Sequence, residues 1–175
     1  RIVGARGRLG CPPPGSAAQL AARSISALMP LELIAFPSAG TARQAVIAGN
    51  LTAALLPLPD AIYALREGRL QGVAISGRAR SALLPDLPCF GEIGLPDVAV
   101  TQRGFALPRG VPSLMRDGLA EALEAVLADP EFTAQNIAMG RTARLVPAEA
   151  WSAEIRALTE RLQRRWESDP WVRRA

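Results

Sequence analysis

The sequence predicts an α/β fold with a mostly parallel sheet and flanking helices, followed by a purely helical segment. Three observations carry this expectation. Up to about residue 100, short apolar runs of strand length at 31–36, 51–56 and 70–75 alternate with helix-like stretches. Those stretches have ends that single residues mark. From Val111 onward, apolar residues recur only at helical spacing.

The first helix is expected from near Ser16 to about Met29, with Leu20, Ala21 and Leu28 suited to a buried face. The second has Thr41 as its expected N-cap and Gly49 as its stop. The third has Asp60 as cap and Gly68 as stop. Strands separated by helices of this length imply right-handed βαβ crossovers. Residues 98–110 read as a crossover strand, with Ala99-Val100 and Phe105-Ala106-Leu107 extended and Pro108-Arg109-Gly110 as a turn. Beyond it, Pro112 reads as a first-turn proline ahead of Met115, Leu119, Ala122, Leu123 and Val126. Asp129-Pro130 reads as N-cap and first residue of the next helix, which Gly140 closes. A last helix begins near Pro147. Its stripe of Trp151, Ile155, Leu158, Leu162 and Trp166 is expected to pack on the protein's own core.

Composition narrows the function. The chain has 175 residues, nearly half of them hydrophobic, which argues against disorder. No apolar run approaches the length of a transmembrane helix, and residues 1–6 show no apolar signal core. The net charge of +4 rests on 20 cations, every one of them arginine. They stand singly apart from Arg164-Arg165 and Arg173-Arg174, without the clustering among aromatics that nucleic-acid binding wants. Histidine is absent, which removes the commonest general base, nucleophile partner and metal ligand. Cys11 and Cys89 fall in expected loops and cannot supply a four-ligand zinc site. Free buried thiols are the expected state, and a disulfide stays open if both loops share one end of the sheet. No cofactor, metal or catalytic residue is expected.

In an open parallel sheet, ligands gather outside the carboxyl ends of the strands. Helix amino-termini there present free N–H groups and a partial positive charge. Two loops qualify. Pro14-Gly15-Ser16-Ala17 opens the first helix, with Gly15 allowing close backbone approach and Ser16 offering a hydroxyl. Pro37-Ser38-Ala39-Gly40-Thr41 opens the second, with Ser38 and Thr41 as hydroxyl donors. These residues also serve as ordinary caps and turn glycines, and their chemistry alone leaves both roles open.

The stretch from Gly68 to Pro96 narrows the choice. It reads Gly68-Arg69-Leu70-Gln71-Gly72-Val73-Ala74-Ile75-Ser76, then Leu84-Pro85-Asp86-Leu87-Pro88, then Glu92-Ile93-Gly94-Leu95-Pro96. This order resembles the Bug or TctC family of periplasmic solute-binding proteins of tripartite tricarboxylate transporters, whose members read "G-K-L-R-A-L-A-V-T-S", "L-P-D-V-P-T" and "E-A-G-L-P". Phe105 to Pro112, Ala128 to Phe132 and Pro147 to Trp151 are similar to further motifs of that family, and residues 36–59 to another. The resemblance implies a two-lobed type II periplasmic-binding-protein-like fold that closes on its ligand. Residues 1–102 would form the second, continuous lobe, and 103–175 the crossover strand and carboxy-terminal helices of the first, whose opening motif is not found. It implies a periplasmic, non-enzymatic receptor for a small carboxylate (a di- or tricarboxylate, amino acid or aromatic acid), working with membrane transporter subunits and no nucleic acid. It tips Gly15, Ser16, Ala17, Ser38, Ala39, Gly40 and Thr41 towards ligand binding. The departures are Gln19, where the family often has histidine, Phe36-Pro37 for Tyr-Lys, and Leu56-Pro57 for Asp-Asn. They make the expected cleft more apolar.

Three rival readings have their own signatures. An enzyme needs a close pair of acids or an activated nucleophile, whereas Asp60, Asp86, Glu92 and Asp97 sit at expected caps and turns. An effector-binding module of a LysR-like regulator shares the general fold and would carry a DNA-binding helix-turn-helix. A diverged fragment with an interaction role would expose the apolar faces of its later helices and self-associate.

Overall fold

In the computed structural model, residues 7–77, 79–95 and 101–171 are described, and the chain divides into two compact units, 1–101 and 102–175. The first unit holds a three-stranded parallel sheet: β1 (Gly7–Cys11), β2 (Leu31–Ala35) and β3 (Ala53–Ala54), in the order β2-β1-β3. β1 pairs with β2 from Gly7↔Leu31 to Cys11↔Ala35, and with β3 at Leu9↔Ala53 and Gly10↔Ala54. The helices between are α1 (Ala17–Ser26), α2 (Ala39–Ile47) and α3 (Leu58–Arg66).

The central strand was not expected, and Cys11 lies at its end rather than in a loop. Alternation along it separates the two faces of the sheet. Leu9 and Cys11 pack with Ala22 of α1, and Leu31, Leu33, Ala53 and Leu55 border that cluster. Gly10 points the other way. A Cβ there would run into the Leu51 side chain and lie 3.3 Å from the Phe36 ring. α1 packs on β1 and β2, whereas α2 packs on β1, β3 and α3, and α1 and α2 do not touch. That is what right-handed crossovers in opposite directions require: one helix on each face.

Two expected strands shrink. The run at 51–56 gives only β3, with Leu51 buried ahead of it and the Leu55 amide donating to the Gly10 carbonyl at 2.9 Å. The run at 70–75 leaves a single parallel bridge, Ile75↔Cys89. Apolar sequence alone does not make a strand, since the ladder needs a neighbour. Here the neighbour is the loop after it: Ile75 N–H donates to Pro88 O at 3.0 Å and Phe90 N–H to Ile75 O at 2.9 Å. Gly72 accommodates the Leu87 side chain, whose Cδ1 lies 2.5 Å from where a Cβ would stand. Phe90, 3% exposed, then plugs into Ala21 and Ile25 of α1.

Helix ends follow local chemistry with three corrections. The second helix is capped by Ser38, and Thr41 is its third residue. Ser38 Oγ accepts from Thr41 N–H at 3.1 Å while Thr41 Oγ1 accepts from Ser38 N–H at 3.2 Å, a reciprocal capping box. The third is preceded by Pro57, which places Asp60 in the first turn, where its charge suits the helix dipole. α1 ends at Ser26, short of the expected Met29.

In the second unit, α4 (Ser113–Ala128), α5 (Pro130–Ala138) and α6 (Ala148–Ser168) lie close to where they are expected, except that Pro112 stands at the N-cap of α4 rather than in its first turn. Asp129 caps α5, its carboxylate accepting from Glu131 N–H at 2.8 Å. Ala99-Val100 lies outside the described residues, and Phe105–Leu107 joins no strand. Instead, Gly104 lies against the Trp151 ring, and Gln102 bonds both Trp151 Nε1 (3.2 Å) and Glu154 Oε2 (3.1 Å). α4, α5 and α6 bury none of their residues, so the α6 stripe is not packed into a core as expected. Among the described residues, no helix is long and apolar enough to cross a membrane.

Gly10→Ala should destabilise the first unit by about 1–3 kcal/mol, because the added methyl must displace Leu51. The cost should fall in a Leu51→Ala background, measured as coupling in urea unfolding. A second expectation concerns pH. The Arg80 guanidinium (2.9–3.0 Å) and the Cys89 N–H (2.7 Å) hold the Glu92 carboxyl below its ordinary value, at about 2. A carboxyl depressed by folding stabilises above its unfolded value near 4.5, and loses that contribution as pH falls towards 2. The urea midpoint should therefore fall more steeply with acid between pH 4.5 and 2 in the native chain than in Glu92→Gln.

Candidate functional site

Both expected site loops leave the carboxyl ends of adjacent strands. Cys11 and Ala35 are register partners, so the two chains start out about 4.8 Å apart. From β1, residues 12–16 lead into α1. From β2, residues 36–38 lead into α2.

The first loop is held in shape by its own groups. Gly15 adopts φ 83°, a conformation that favours glycine. Its N–H donates to Gln19 Oε1 at 3.5 Å, and Gln19, although polar, is buried. Ser16 is the N-cap, its hydroxyl oxygen accepting from Gln19 N–H at 3.2 Å. The Ser16 proton stays available for a further acceptor. The Ala17 and Ala18 amides have no acceptor among the described residues.

The second loop is similar in kind. Ala39 and Gly40 follow the Ser38 cap, and their amides also lack acceptors among the described residues. Thr41 differs from expectation as a donor: its hydroxyl donates to the Ser38 carbonyl at 2.9 Å within the capping box. Ser38 Oγ lies 3.2 Å from Thr41 Oγ1 at the exposed mouth of the loop. The useful donors are thus the Ser16 hydroxyl and four amides, joined by the Ser38 hydroxyl once it turns from Thr41 Oγ1, at two helix N-termini on opposite faces of the sheet.

Topology adds a third wall, which the family pattern had brought in only through Leu56-Pro57. The chain leaves β1 towards α1 on one face, and leaves β3 through Leu55–Pro57 towards α3, which packs with α2 on the other. Loops that part in this way on neighbouring strands mark a topological switch point. Leu55, Leu56 and Pro57 therefore border the same sheet edge as Pro12 to Ser16. Gln19, known from sequence only as a departure from the family pattern, holds the first loop. Its signal was the i, i+4 spacing from Gly15.

Charge is absent from this edge. Residues 12–19, 36–41 and 55–57 include no arginine and no acid. An anion placed here would meet amide dipoles and hydroxyls, not a formal cation. Cys11 is a free, buried thiol whose Sγ lies 3.7 Å from Ile34 O, and burial raises its pKa, which disfavours the nucleophilic thiolate. Cys89 is also free and buried. Among the described residues, no three His, Cys, Asp or Glu side chains cluster as a metal site.

Comparison with known proteins gives a consistent picture. The sequence profile of the family described as "Tripartite tricarboxylate transporter family receptor" matches residues 7–143. A UPF0065 protein of Bordetella bronchiseptica is 29% identical over 108 residues, covering 61% of this chain and 32% of the relative. Another, from the TAR-I ttuE-ttuC' intergenic region of Agrobacterium vitis, is 27% identical over 101 residues, with coverages of 57% and 29%. The matched stretch thus spans about a third of these curated relatives. Among solved structures, an R. palustris protein with adipate aligns at TM-score 0.70 and 17% identity, covering 93% of this chain and 56% of that one. The periplasmic binding protein BugD aligns at 0.66 and 19%, with coverages of 95% and 58%. MatC from Rhodopseudomonas palustris with bound malate aligns at 0.62 and 22%, with 93% and 56%. These likenesses establish a periplasmic-binding-protein fold.

Proposed function

Because the chain belongs to the tripartite tricarboxylate transporter receptor family, we propose that it captures a small carboxylate outside the plasma membrane and presents it to membrane transporter subunits. The observation that carries the reading is the pair of helix N-termini at one sheet edge, with the Ala17, Ala18, Ala39 and Gly40 amides unspent. Gly15, Ser16, Ala17, Ser38, Ala39 and Gly40 form the carboxylate site, and Thr41 acts by fixing the second loop. Residues 1–102 correspond to the second lobe and 103–175 to the returning part of the first. The division of the chain into units 1–101 and 102–175 supports that assignment. Capture and release need no proton transfer or covalent step, so no catalytic residue is assigned.

The apolar rim sets the ligand class. Pro12, Phe36, Leu56 and Pro57 follow the three strands, where a polyhydroxylated acid would find few partners. A carboxylate with an apolar body, aliphatic or aromatic, suits the edge better, because each hydroxyl lodged against this rim would lose water without replacement.

Two measurements test the reading. In a thermal-shift panel, adipate or benzoate at a hundredfold over its dissociation constant adds about 2.7 kcal/mol, a rise of roughly 5–10 °C. Malate and citrate should need higher concentrations, and a preference for these hydroxy acids would overturn the apolar assignment. Ser16→Gly combined with Ser38→Gly keeps most of the capping, since glycine at an N-cap costs only a few tenths of a kcal/mol. It removes both hydroxyl donors, so affinity by calorimetry should drop about tenfold, or 1.4 kcal/mol. An unchanged affinity would remove these loops from the site.

A further inference from the structure

Arg43 has no part in the carboxylate edge as described so far. It is the fifth residue of α2, one turn beneath the Ala39 amide, and its side chain is half-buried. From there Nη1 donates across to the main-chain carbonyl of Asp60, the third residue of α3. Among the described residues no carboxylate pairs with it. An arginine that orders its long side chain to reach a neutral carbonyl fixes geometry rather than balancing a charge.

What it fixes follows from the two helices it joins. α2 carries the second loop and the Ala39 and Gly40 amides. α3 begins directly after Leu55–Pro57, and the Asp60 N–H donates back to the Pro57 carbonyl at 3.0 Å. A single turn of chain therefore separates the Arg43 bond from the apolar rim. The first two loops each end in a serine cap, whereas α3 has no side-chain cap and β3 is only two residues long. The tether from α2 supplies the restraint that the third loop lacks in itself.

We propose that Arg43 is a positioning residue of the carboxylate site. It touches no ligand, but holds Leu56 and Pro57 in place relative to the Ser38 loop, so that a ligand whose charge sits on the amides meets the rim with its body. This role rests on the carboxylate reading of the edge, and it separates two kinds of ligand. An acid with a long apolar body depends on the tether, and one without a body does not.

NMR titrations of the 175-residue chain with adipate and with acetate test this. Arg43→Met keeps the packing of the stem and removes the donors. Adipate affinity should fall about tenfold and acetate affinity by less than about twofold. Arg43→Lys, which keeps one donor group, should recover most of the loss for adipate. Without ligand, amide exchange at Asp60 should quicken about tenfold in Arg43→Met and stay near the native rate in Arg43→Lys. Equal losses for both acids without rescue by lysine would reveal a general loosening and overturn the assignment. Adipate binding and Asp60 exchange indifferent to Arg43→Met would overturn it as well, while leaving the carboxylate site intact. An unaltered chain that binds neither acid would instead remove the carboxylate reading, and this role with it.

Discussion

The first unit depends on a bare patch of backbone in the middle of its sheet. β1 pairs with both other strands, and its Gly10 lies under the Leu51 side chain and beside the Phe36 ring. Interiors are packed to near-crystal density, so a methyl there has nowhere to go. The consequence reaches the sheet edge. Leu51 leads into β3, and Phe36 is the first residue after β2, so both loops that follow them take their origin from the side chains resting on Gly10. On the opposite face Leu9 and Cys11 hold α1, which fixes where the first loop ends. One five-residue strand thus positions all three loops at the carboxyl edge.

That same strand was the least legible part of the fold. Gly-Arg-Leu-Gly-Cys has two glycines, no β-branched residue and a single large apolar side chain, so neither propensity nor alternation announces it. Its assignment comes from partners on both sides, which no local pattern records. The stretch 70–75 shows the converse: rich in strand formers, it gains only one bridge. Helix ends were legible because their chemistry is local, as with Asp129 before Pro130 and Gly140 with φ 71°. The misplaced cap of the second helix errs for a local reason as well. In a capping box, cap and third residue exchange bonds, so Ser38 and Thr41 look alike from sequence. At the candidate site, glycine and hydroxyl spacing marks residues 14–17 and 38–41 as loops that open helices, and only the family resemblance tips them towards binding. Leu56-Pro57 also entered through that resemblance, whereas the switch point beside them exists only once the strand order is known.

The second unit separates two kinds of helix information. Boundaries there follow from proline, aspartate and glycine at the ends, and they stand close to where they are expected. Burial does not follow, since it depends on what the rest of the polypeptide supplies. Phe105, Leu114 and Met115 are 69%, 83% and 67% exposed, more than isolated surface apolars account for. Short helices without a covered face lack the term that holds most protein helices together. What covers such a face is not written into the caps that set the boundaries.

A chain with 20 arginines and none at its carboxylate edge has a physical logic if it is a receptor. A buried guanidinium–carboxylate pair must be desolvated when formed, and costs several kcal/mol to break. A helix N-terminus contributes about 0.3–1 kcal/mol to an anion, rising to about 2 where partly buried. Two such ends with a few hydrogen bonds reach a useful affinity without a contact too strong to reverse. Selectivity can then come from the rest of the ligand, because dipoles treat all carboxylates nearly alike and the rim does not. On the proposed function, Pro12, Phe36, Leu56 and Pro57 would decide what body the carboxylate carries. In this reading the loss of Tyr-Lys and Asp-Asn from the family pattern is a change of cargo rather than a loss of function, because the amides that hold the charge belong to the backbone.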